Sequence, residues 1–498
     1  MEKIVWEILL NTNKVTGADV SAPFILKRIS LHDAKYIKDM YNIRRHYVEE
    51  FVSSIYFIGI GGSGMFPLAS ISIDKGNKVI GSDSCKSDKT DKLIEKGAKI
   101  YFEHSEKNIT DDINLVVYSG AIKEDNPEII AAKNKNIKCI SRSKYLSVIM
   151  SEFKNSISVA GTHGKTTTTS MITGILLDAD CDPTSVIGAY FSRISGNSIL
   201  GNSDIAVCEA CEYLDSFLDL NSKIGIILNI DNDHLDYFKS VENEKNSFLK
   251  FSNQCEYTII NRDDHNSFEV SKKSSPKIIY YGIENNSDFM ASNIILEDNG
   301  CYSFDVVHEN KKLFNLKLKI PGKHNIYNSL ASIAACFQLN IDSEAIKKSL
   351  ENFTGADRRF KFIGKSNGIS FFDDYAHHPT EIEATLKSAK SLNFNNIWLI
   401  FQPHTFSRTY FLLDEFAKSL SIADHVILTD ILPVRETNIY GVSSNDLSSK
   451  IANSIVISDF NQIADYIKEN AKSGDMVMTM GAGNIYKCME IIYNNYEK

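Results

Sequence analysis

Long apolar runs, regularly spaced cysteines and an excess of basic residues are all missing from this chain of 498 residues. No apolar run approaches the roughly 20 residues that a membrane-spanning helix needs, so we expect no membrane insertion. The nine cysteines show no regular spacing, which argues against a disulfide framework and favours reduced thiols. The formal net charge of -9 gives no general attraction to nucleic acid, and we expect no nucleic-acid partner.

The first residues, MEKIVWEILLNTNK, lack a basic region and a small-residue cleavage site, so we expect no secretion signal. We therefore predict a cytoplasmic protein, either a monomer or a weak homodimer. Residues 1–50 show no clear period, and two interpretations stay open. They form an additional helical extension of uncertain structure, or translation starts at Met40 and residues 1–39 are dispensable.

Three series of apolar strand-like runs alternate with polar helical stretches along the rest of the chain. The first series runs from IYFIGI to IKCIS, the second from SISVAG through IGIILNI, and the third from ISFFDD to MVMTMGAG. Such alternation is typical of parallel sheets covered by helices. We predict an α/β protein with three domains, each built on a mainly parallel sheet, at residues 51–146, 147–355 and 356–498.

A glycine-rich turn follows the first predicted strand. Gly59, Gly61 and Gly64 form the G-x-G-x-x-G pattern of a strand that turns into a helix whose amides face a phosphate. Asp83 ends the next strand, about twenty residues on, where a carboxylate commonly reaches a ribose hydroxyl. The pattern predicts a nucleotide site, and a plain structural turn is the alternative.

A second loop, AGTHGKTTTT, lies between a predicted strand and a predicted helix. Lys165 supplies a cation for phosphates, and Thr166 supplies a hydroxyl for Mg²⁺. The loop is a shortened P-loop, because position 159 is valine and the first glycine is Gly161. A hydride-transfer enzyme has no use for a triphosphate, whereas an ATP-driven ligase acting on a nucleotide-linked substrate needs both loops. The predicted phosphate contacts are Gly161, Thr162, His163, Gly164, Lys165, Thr166 and Thr167.

These motifs together resemble the Mur ligase family. The matching stretches occur in order from about residue 54 to 487: FIGIGGSGM, AGTHGKTTTTSM, LNIDNDHLDYF, PGKHNIYNSLASIAA, GADRRF, DDYAHHPTEI, FQPHTFSRT and MGAGNIY. The resemblance implies a Rossmann-like UDP-sugar domain, a central ATPase domain and a Rossmann-like C-terminal domain that closes on ATP and the amino acid. It implies ATP-dependent amide synthesis from UDP-N-acetylmuramate and L-alanine through an acyl phosphate, with Mg²⁺, in peptidoglycan precursor synthesis.

The resemblance also implies roles for individual residues. The UDP-sugar contacts are Gly59, Gly61, Gly62, Ser63, Gly64, Met65, Asp83 and Ser119. Further ATP contacts are Asn325, Asn328, Arg358 and Asp373. The catalytic residues are Lys165, His234, Arg359 and His377, and the metal ligands are Thr166, Glu209 and His234. The amino-acid contacts are Tyr375, His377, His404 and Arg408, and Arg408 is assigned to the alanine carboxylate because a guanidinium grips a carboxylate with two hydrogen bonds.

Two residues depart from the family pattern, since Cys211 stands where aspartate is frequent and Thr405 where many relatives have arginine. The adjacent His377 and His378 are not predicted to form a zinc pair, because neighbours on extended chain face opposite ways. The closest alternative function is a recycling ligase that attaches a preformed tripeptide. More distant alternatives are a folate polyglutamate ligase and a nucleotide sensor without turnover.

Overall fold

The structure, a computed structural model, describes residues 54–231, 233, 235–297, 300–355, 358–390, 392–434 and 436–497. The predicted extension at residues 1–50 lies outside these ranges. The described residues form three sheets covered by helices, which confirms the predicted fold class. Within the same ranges, every helix is too short or too polar to cross a bilayer.

The first domain contains a five-stranded parallel sheet in the order β3-β2-β1-β4-β5. Its central strand, SIYFI, is buried along its whole length, as expected for a parallel strand with helices on both faces. The strands are β1 (Ser54–Ile58), β2 (Lys78–Ser82), β3 (Lys99–Tyr101), β4 (Leu115–Tyr118) and β5 (Lys138–Ser141). The helices are α1 (Phe66–Asp74), α2 (Asp88–Glu95), α3 (Pro127–Asn134) and α4 (Arg142–Ser151).

The middle domain contains a ten-stranded sheet in the order β15-β14-β13-β12-β11-β10-β6-β9-β7-β8. Its central strands are parallel, and both edges end in antiparallel pairs, β14 with β15 and β7 with β8. The strands are β6 (Asn155–Ala160), β7 (Thr184–Phe191), β8 (Gly196–Ile199), β9 (Ile205–Glu209), β10 (Ile224–Ile227), β11 (Tyr257–Asn261), β12 (Lys277–Gly282), β13 (Phe289–Leu296), β14 (Tyr302–His308) and β15 (Lys311–Lys317). The helices are α5 (Lys165–Asp178), α6 (Leu235–Phe238), α7 (Val241–Asn253), α8 (His265–Ser271), α9 (His324–Gln338) and α10 (Ser343–Glu351).

The C-terminal domain contains a six-stranded sheet in the order β16-β17-β21-β18-β19-β20, in which only the β16–β17 pair is antiparallel. The strands are β16 (Lys361–Ser366), β17 (Ile369–Asp374), β18 (Ile397–Phe401), β19 (His425–Leu428), β20 (Ser454–Val456) and β21 (Met476–Met480). The helices are α11 (Pro379–Lys390), α12 (Phe406–Phe411), α13 (Leu413–Leu420), α14 (Ser444–Ser448), α15 (Phe460–Asn470) and α16 (Tyr486–Glu497). Short 3-10 segments occur at Glu106–Asn108, Ser192–Ile194 and Tyr213–Asp219.

The predicted boundary between the first two domains, at Leu146, falls inside α4. This helix starts with a cap from Ser141 and buries Leu146 and Ile149, so it continues to Ser151, close to the start of β6 at Asn155. The second predicted boundary, Gly355, lies between α10 and β16 and has a φ of +101°, a conformation that glycine adopts without strain.

A fully buried carboxylate connects the strands of the first domain to the loop after β3. Glu128 accepts hydrogen bonds from the hydroxyls of Tyr56 and Ser82, both at 2.7 Å. The side-chain amide of Asn108 and Nδ1 of His104 lie 2.8 Å from the same carboxylate. The fully buried carboxylate thus accepts hydrogen bonds from four side chains. Replacing either of its oxygens by a donor would leave some of these donors without an acceptor.

We predict that Glu128→Gln destabilises the protein by about 1–3 kcal/mol. The glutamine replaces one acceptor oxygen by an NH₂ group, and that group would face other hydrogen-bond donors. The measurement is the free energy of unfolding in urea, followed by circular dichroism. Glu95→Gln, at an exposed position on α2, is the matched control and should change stability by less than about 0.5 kcal/mol. Equal stability of the two variants would show that Glu128 contributes no more than a surface residue.

Candidate active site

The P-loop joins β6 to α5, and two of its glycines have positive φ angles. Gly161 has a φ of +136°, and a Cβ added there would lie 2.9 Å from Cβ of Leu228. Gly164 has a φ of +86°, and a Cβ there would lie 2.6 Å from Oδ1 of Asn328. No side chain caps the start of the 14-residue helix α5, so its first amides face the loop. An uncapped helix N-terminus of this kind is suited to a phosphate.

Lys165 is held inside this loop by carbonyl and carboxylate oxygens. Its Nζ donates to the carbonyls of Gly161 at 2.5 Å and Thr162 at 3.1 Å, and to both carboxylate oxygens of Glu212 at 3.0 Å. Burial by itself would lower the pKa of Lys165, but the charge of Glu212 raises it, so the ammonium stays charged. The loop therefore presents a fixed cation.

The carboxylate next to the P-loop belongs to Glu212 rather than to Glu209, which the sequence had favoured as a metal ligand. Oε1 of Glu209 accepts the backbone N–H of Gly188 at 2.5 Å, whereas Glu212 is buried against Lys165. Thr166 lies beside Lys165 at the start of α5 and is also buried. Thr166 and Glu212 are thus the oxygen donors that fit a magnesium ion here. The third predicted ligand, His234, lies outside the described residues.

A cavity of about 480 Å³ opens beside the P-loop. The middle domain contributes His163, Gly164 and Thr167 from the loop, together with Asn325 and Asn328 from α9. The two asparagines are linked, since Nδ2 of Asn328 donates to Oδ1 of Asn325 at 3.0 Å. The structure therefore brings two of the predicted ATP contacts on α9 and three of the predicted phosphate contacts to one cavity.

Arg358 and Asp373, the two predicted ATP contacts of the C-terminal domain, do not line this cavity. The residue that follows each of them does. Arg358 donates to Asp373 at 2.8 Å and to the carbonyls of Gly481 and Gly483. The cavity is lined instead by Arg359 and Asp374. Successive residues of a strand point to opposite faces, so a shift of one position moves a side chain to the other face of β17. The roles predicted for Arg358 and Asp373 therefore pass to Arg359 and Asp374 as proposals.

Glu381, in the first turn of α11, is a site residue that sequence reasoning missed. Its carboxylate lies 3.4 Å from Nδ1 of His163, 3.4 Å from Nδ1 of His377 and 3.8 Å from Nη1 of Arg359. Burial would raise the pKa of Glu381, but these three cationic or imidazole groups hold it well below its usual range. The DDYAHHPTEI motif contains this glutamate four residues after the predicted His377.

His163 connects the P-loop to the C-terminal domain. Its Nε2 lies 3.1 Å from Oδ2 of Asp231, and that oxygen also accepts the hydroxyl of Thr380 at 2.6 Å. Burial would lower the pKa of His163, but the carboxylates of Asp231 and Glu381 raise it to about 9. The two domains are thus held together by charge-assisted hydrogen bonds across the cavity.

Arg408, the predicted amino-acid contact, binds a carboxylate of the middle domain. Its Nη2 donates to Oδ1 of Asp233 at 3.0 Å and to Oδ2 at 3.3 Å, and both side chains are about 10% exposed. Nη1 lies 3.4 Å from Nδ1 of His404, whose ring faces that of His377 with centroids 5.5 Å apart. Thr405, which replaces an arginine of many relatives, accepts the backbone N–H of Arg408 and caps α12.

The tautomer of His377 is set by its neighbours. Nδ1 lies 3.1 Å from the carbonyl oxygen of Tyr375, which can only accept a hydrogen bond, so Nδ1 carries the hydrogen and Nε2 is the acceptor nitrogen of the neutral ring. Burial lowers the pKa of His377 to about 3, which keeps the ring neutral. Tyr375 lies beside it, with ring centroids 5.4 Å apart.

The glycine-rich turn of the first domain forms a separate loop. Gly59 has a φ of +78°, and a Cβ there would lie 3.5 Å from Cβ of Ser119. Oδ2 of Asp83 accepts the N–H of Gly61 at 2.8 Å, so the predicted ribose contact is at the loop. Arg142, which sequence reasoning missed, lies against the same loop, since a Cβ at Gly64 would lie 2.9 Å from its Cδ. Gly62, Ser63 and Met65 complete the loop, and the carbonyl of Ser63 accepts Nδ2 of Asn197 at 3.4 Å.

Glu244 is a second site residue that sequence reasoning missed. It lies on α7, is fully buried, and neither of its carboxylate oxygens has a hydrogen-bond partner among the described residues. Burial raises its pKa to about 9, and the charges of Glu212, Asp233 and Asp231 act in the same direction. A buried carboxyl beside three other acidic groups is unfavourable when it is ionised, so burial and repulsion together keep Glu244 neutral near pH 7.

Three family models match the chain. They are described as the Mur ligase family catalytic domain at residues 54–154, the Mur ligase middle domain at 159–336, and the Mur ligase glutamate ligase domain at 358–483. The UDP-N-acetylmuramate--L-alanine ligase of Caldicellulosiruptor saccharolyticus is 47% identical over 449 residues, covering 89% of this chain and 98% of that protein.

Solved structures of two such ligases have the same fold. The UDP-N-acetylmuramate-alanine ligase of Thermotoga maritima superposes with a TM-score of 0.76 at 28% identity, over 90% of this chain and 99% of that one. A murein peptide ligase of Psychrobacter arcticus superposes with a TM-score of 0.70 at 25% identity, over 89% of this chain and 98% of that one.

We predict that Glu244→Gln makes stability less dependent on pH in magnesium-free buffer. The folded pKa of about 9 exceeds the ordinary value of 4.5, so the stabilisation from the neutral carboxyl is complete below about pH 4.5 and is lost as pH rises towards 9. Between pH 6 and pH 8 the wild type should lose about 1–3 kcal/mol of unfolding free energy relative to Glu244→Gln. Urea unfolding at each pH provides the measurement.

The matched control for this comparison is Glu256→Gln, at an exposed position of the same domain, which should keep the pH dependence of the wild type. A Glu244→Gln curve that runs parallel to the wild-type curve over this range would mean that Glu244 is ionised in the folded protein.

Proposed function

The chain belongs to the Mur ligase family, and from this premise we propose that it is an ATP-dependent ligase that joins L-alanine to the carboxylate of UDP-N-acetylmuramate. The names of the relatives that are 46–47% identical over most of the chain support this reaction. The observation that carries the proposal is the cavity between the P-loop and Arg359, because a nucleotide bound there contacts both domains. The tripeptide-ligase alternative is less well supported, since its structural relative is 25% identical.

The reaction has two steps. A carboxylate oxygen of the sugar nucleotide attacks the γ-phosphorus of ATP, and the bond to ADP breaks. The amine nitrogen of L-alanine then attacks the acyl carbon, the bond to phosphate breaks, and the nitrogen loses a proton. Phosphorylation supplies the leaving group that a free carboxylate lacks.

Positioning and charge stabilisation account for what this chain does in the first step. We propose that the ammonium of Lys165 leaves the carbonyls of its loop to contact the transferred phosphoryl group, and that Arg359 faces it from the C-terminal domain. Thr166 and Glu212 would hold Mg²⁺, which neutralises phosphate charge when it is bound. Asn325 and Asn328 would contact the adenine, and Asp374 the ribose.

The second step takes place where the C-terminal domain meets the middle domain. Arg408 would bind the carboxylate of alanine in the geometry that it shows with Asp233. The neutral Nε2 of His377 can accept a hydrogen bond from the amine and so orient its lone pair towards the acyl carbon. In the first domain, the loop at Gly59–Met65, Asp83, Ser119 and Arg142 would hold the UDP part of the substrate.

We place this reaction in the cytoplasm, as a step of peptidoglycan precursor synthesis. All nine cysteines lie among the described residues and no two of them form a disulfide bond, which is compatible with a reducing compartment. The predicted monomer or weak homodimer stays a prediction.

The decisive test measures ADP release while sugar nucleotides and amino acids are varied. ADP should form only when UDP-N-acetylmuramate and L-alanine are both present. Lys165→Ala should lower the rate on the order of 100-fold or more, because it removes a cation aimed at developing charge, while UDP-sugar binding persists. Lys154→Ala, at an exposed position before β6, is the control. Turnover with a tripeptide but not with L-alanine would contradict the proposal.

We predict that Arg408→Lys raises the KM for L-alanine roughly 10- to 100-fold and leaves the KM for ATP little changed. A lysine is a point charge and cannot make the two parallel hydrogen bonds of a guanidinium, each worth about 1.5–3 kcal/mol. Steady-state kinetics with each substrate varied in turn gives both constants. Arg193→Lys, which alters a surface arginine paired with Asp178, is the matched control. An effect confined to ATP would remove Arg408 from the amino-acid site.

A further inference from the structure

His378 lies against the P-loop rather than beside its neighbour His377. Its ring faces that of His163 with centroids 5.0 Å apart, and Asp231 lies next to both. One ligand atom from each of these three residues lies within 4.8 Å of the other two. We name His163, Asp231 and His378 the clasp. It shares no residue with the magnesium ligands assigned above.

We propose that the clasp binds a transition-metal ion of the Zn²⁺ type and thereby fastens the C-terminal domain to the P-loop. Two imidazoles and one carboxylate form a donor set that zinc takes in proteins. Magnesium prefers an all-oxygen shell, so the Mg²⁺ that accompanies ATP should not compete strongly for it. His377 and His378 are adjacent on extended chain and face opposite ways, so they do not form a zinc pair with each other. In the clasp, the partners of His378 come instead from the middle domain.

The residues around the clasp have the arrangement of an outer coordination shell. A histidine that binds metal through one nitrogen usually donates the other N–H to a carboxylate. In His163, Nε2 faces Asp231 at 3.1 Å and Nδ1 faces Glu381 at 3.4 Å. The hydroxyl of Thr380 donates to Oδ2 of Asp231 at 2.6 Å, so the carboxylate of the clasp is itself oriented. The ligands are therefore held before a metal ion arrives.

The position of the clasp gives metal binding a consequence. His163 and Asp231 line the cavity and belong to the middle domain, whereas His378 belongs to the C-terminal domain. A metal ion would bond both domains at the mouth of the nucleotide site and oppose the opening that releases products. We therefore infer that Zn²⁺ inhibits turnover. Metal binding by the clasp is independent of the proposed function, and only the inhibition rests on it.

The first experiment titrates the full chain with Co²⁺ in magnesium-free buffer and records the visible spectrum. One equivalent should give the absorption of a four- or five-coordinate site with nitrogen and oxygen ligands, without the near-ultraviolet band of cobalt thiolate. His378→Ala and His378→Gln should each weaken binding by more than about 10-fold, and Glu381→Gln by about 10- to 100-fold. His265→Ala, which removes an exposed imidazole from the middle domain, is the matched control and should bind as the wild type does.

Three results would overturn the site: a thiolate band, binding that survives in both His378 variants, or no cobalt band at all. The last of these would show that only hydrogen bonds of a protonated His163 hold the clasp together. The second experiment measures inhibition of ADP release by Zn²⁺, each variant being compared with its own rate without zinc. Inhibition should be at least 10-fold weaker in the His378 variants. Equal inhibition in all variants would overturn the fastening role. If no ADP release is found with any substrate, the cobalt titration still decides the site.

Discussion

The carboxylate of Glu381 is the group on which the nucleotide site depends. It stands at the start of α11 and faces His163 of the P-loop, His377 of the preceding turn and Arg359 of the cavity wall. Because the pKa of this carboxyl is held well below its usual range, the group stays charged and attracts the cationic His163 and Arg359, and it lies 3.4 Å from Nδ1 of the neutral His377. The helix N-terminus behind it favours the same negative charge. Glu381 thus joins two domains that share no strand, together with the pairs Arg408–Asp233 and Thr380–Asp231.

The strands and the two glycine-containing loops after β1 and β6 could be predicted from sequence, because both are local signals. Phosphate binding by these loops stays a prediction. A run such as SIYFI followed by glycines encodes a buried strand and the turn after it, and the strand is found at Ser54–Ile58. The P-loop likewise combines a strand, a turn that needs positive φ and a helix start within about ten residues. The conformation of these segments depends little on neighbouring elements, so the local sequence pattern was sufficient to predict it.

Three predicted site residues, Asp373, Arg358 and Glu209, stand one to three positions from the residues that line the cavity or contact Lys165. Asp373 and Asp374, or Arg358 and Arg359, cannot be separated by residue type. For the aspartates the choice depends on which face of β17 meets the middle domain, and for the arginines on the turn before β16. Glu209 differs from Glu212 in the same way, because the direction of the chain after β9 decides which carboxylate reaches Lys165. Contacts between distant segments, such as Thr380 with Asp231, leave no local pattern to read.

The two edges of the ten-stranded sheet affect how the chain behaves at high concentration. Parallel strands in the centre need long connections before they pair, so their edges would be exposed while the chain folds. Here each edge is closed by an antiparallel partner that is near in sequence, and one of these, β15, carries Lys311, Lys312 and Lys317. Lysines along an outer strand repel a second strand of the same kind. Lys312 and Lys317 also pair with Asp305 and Glu297, so β15 presents charged side chains rather than an open apolar edge to any further strand.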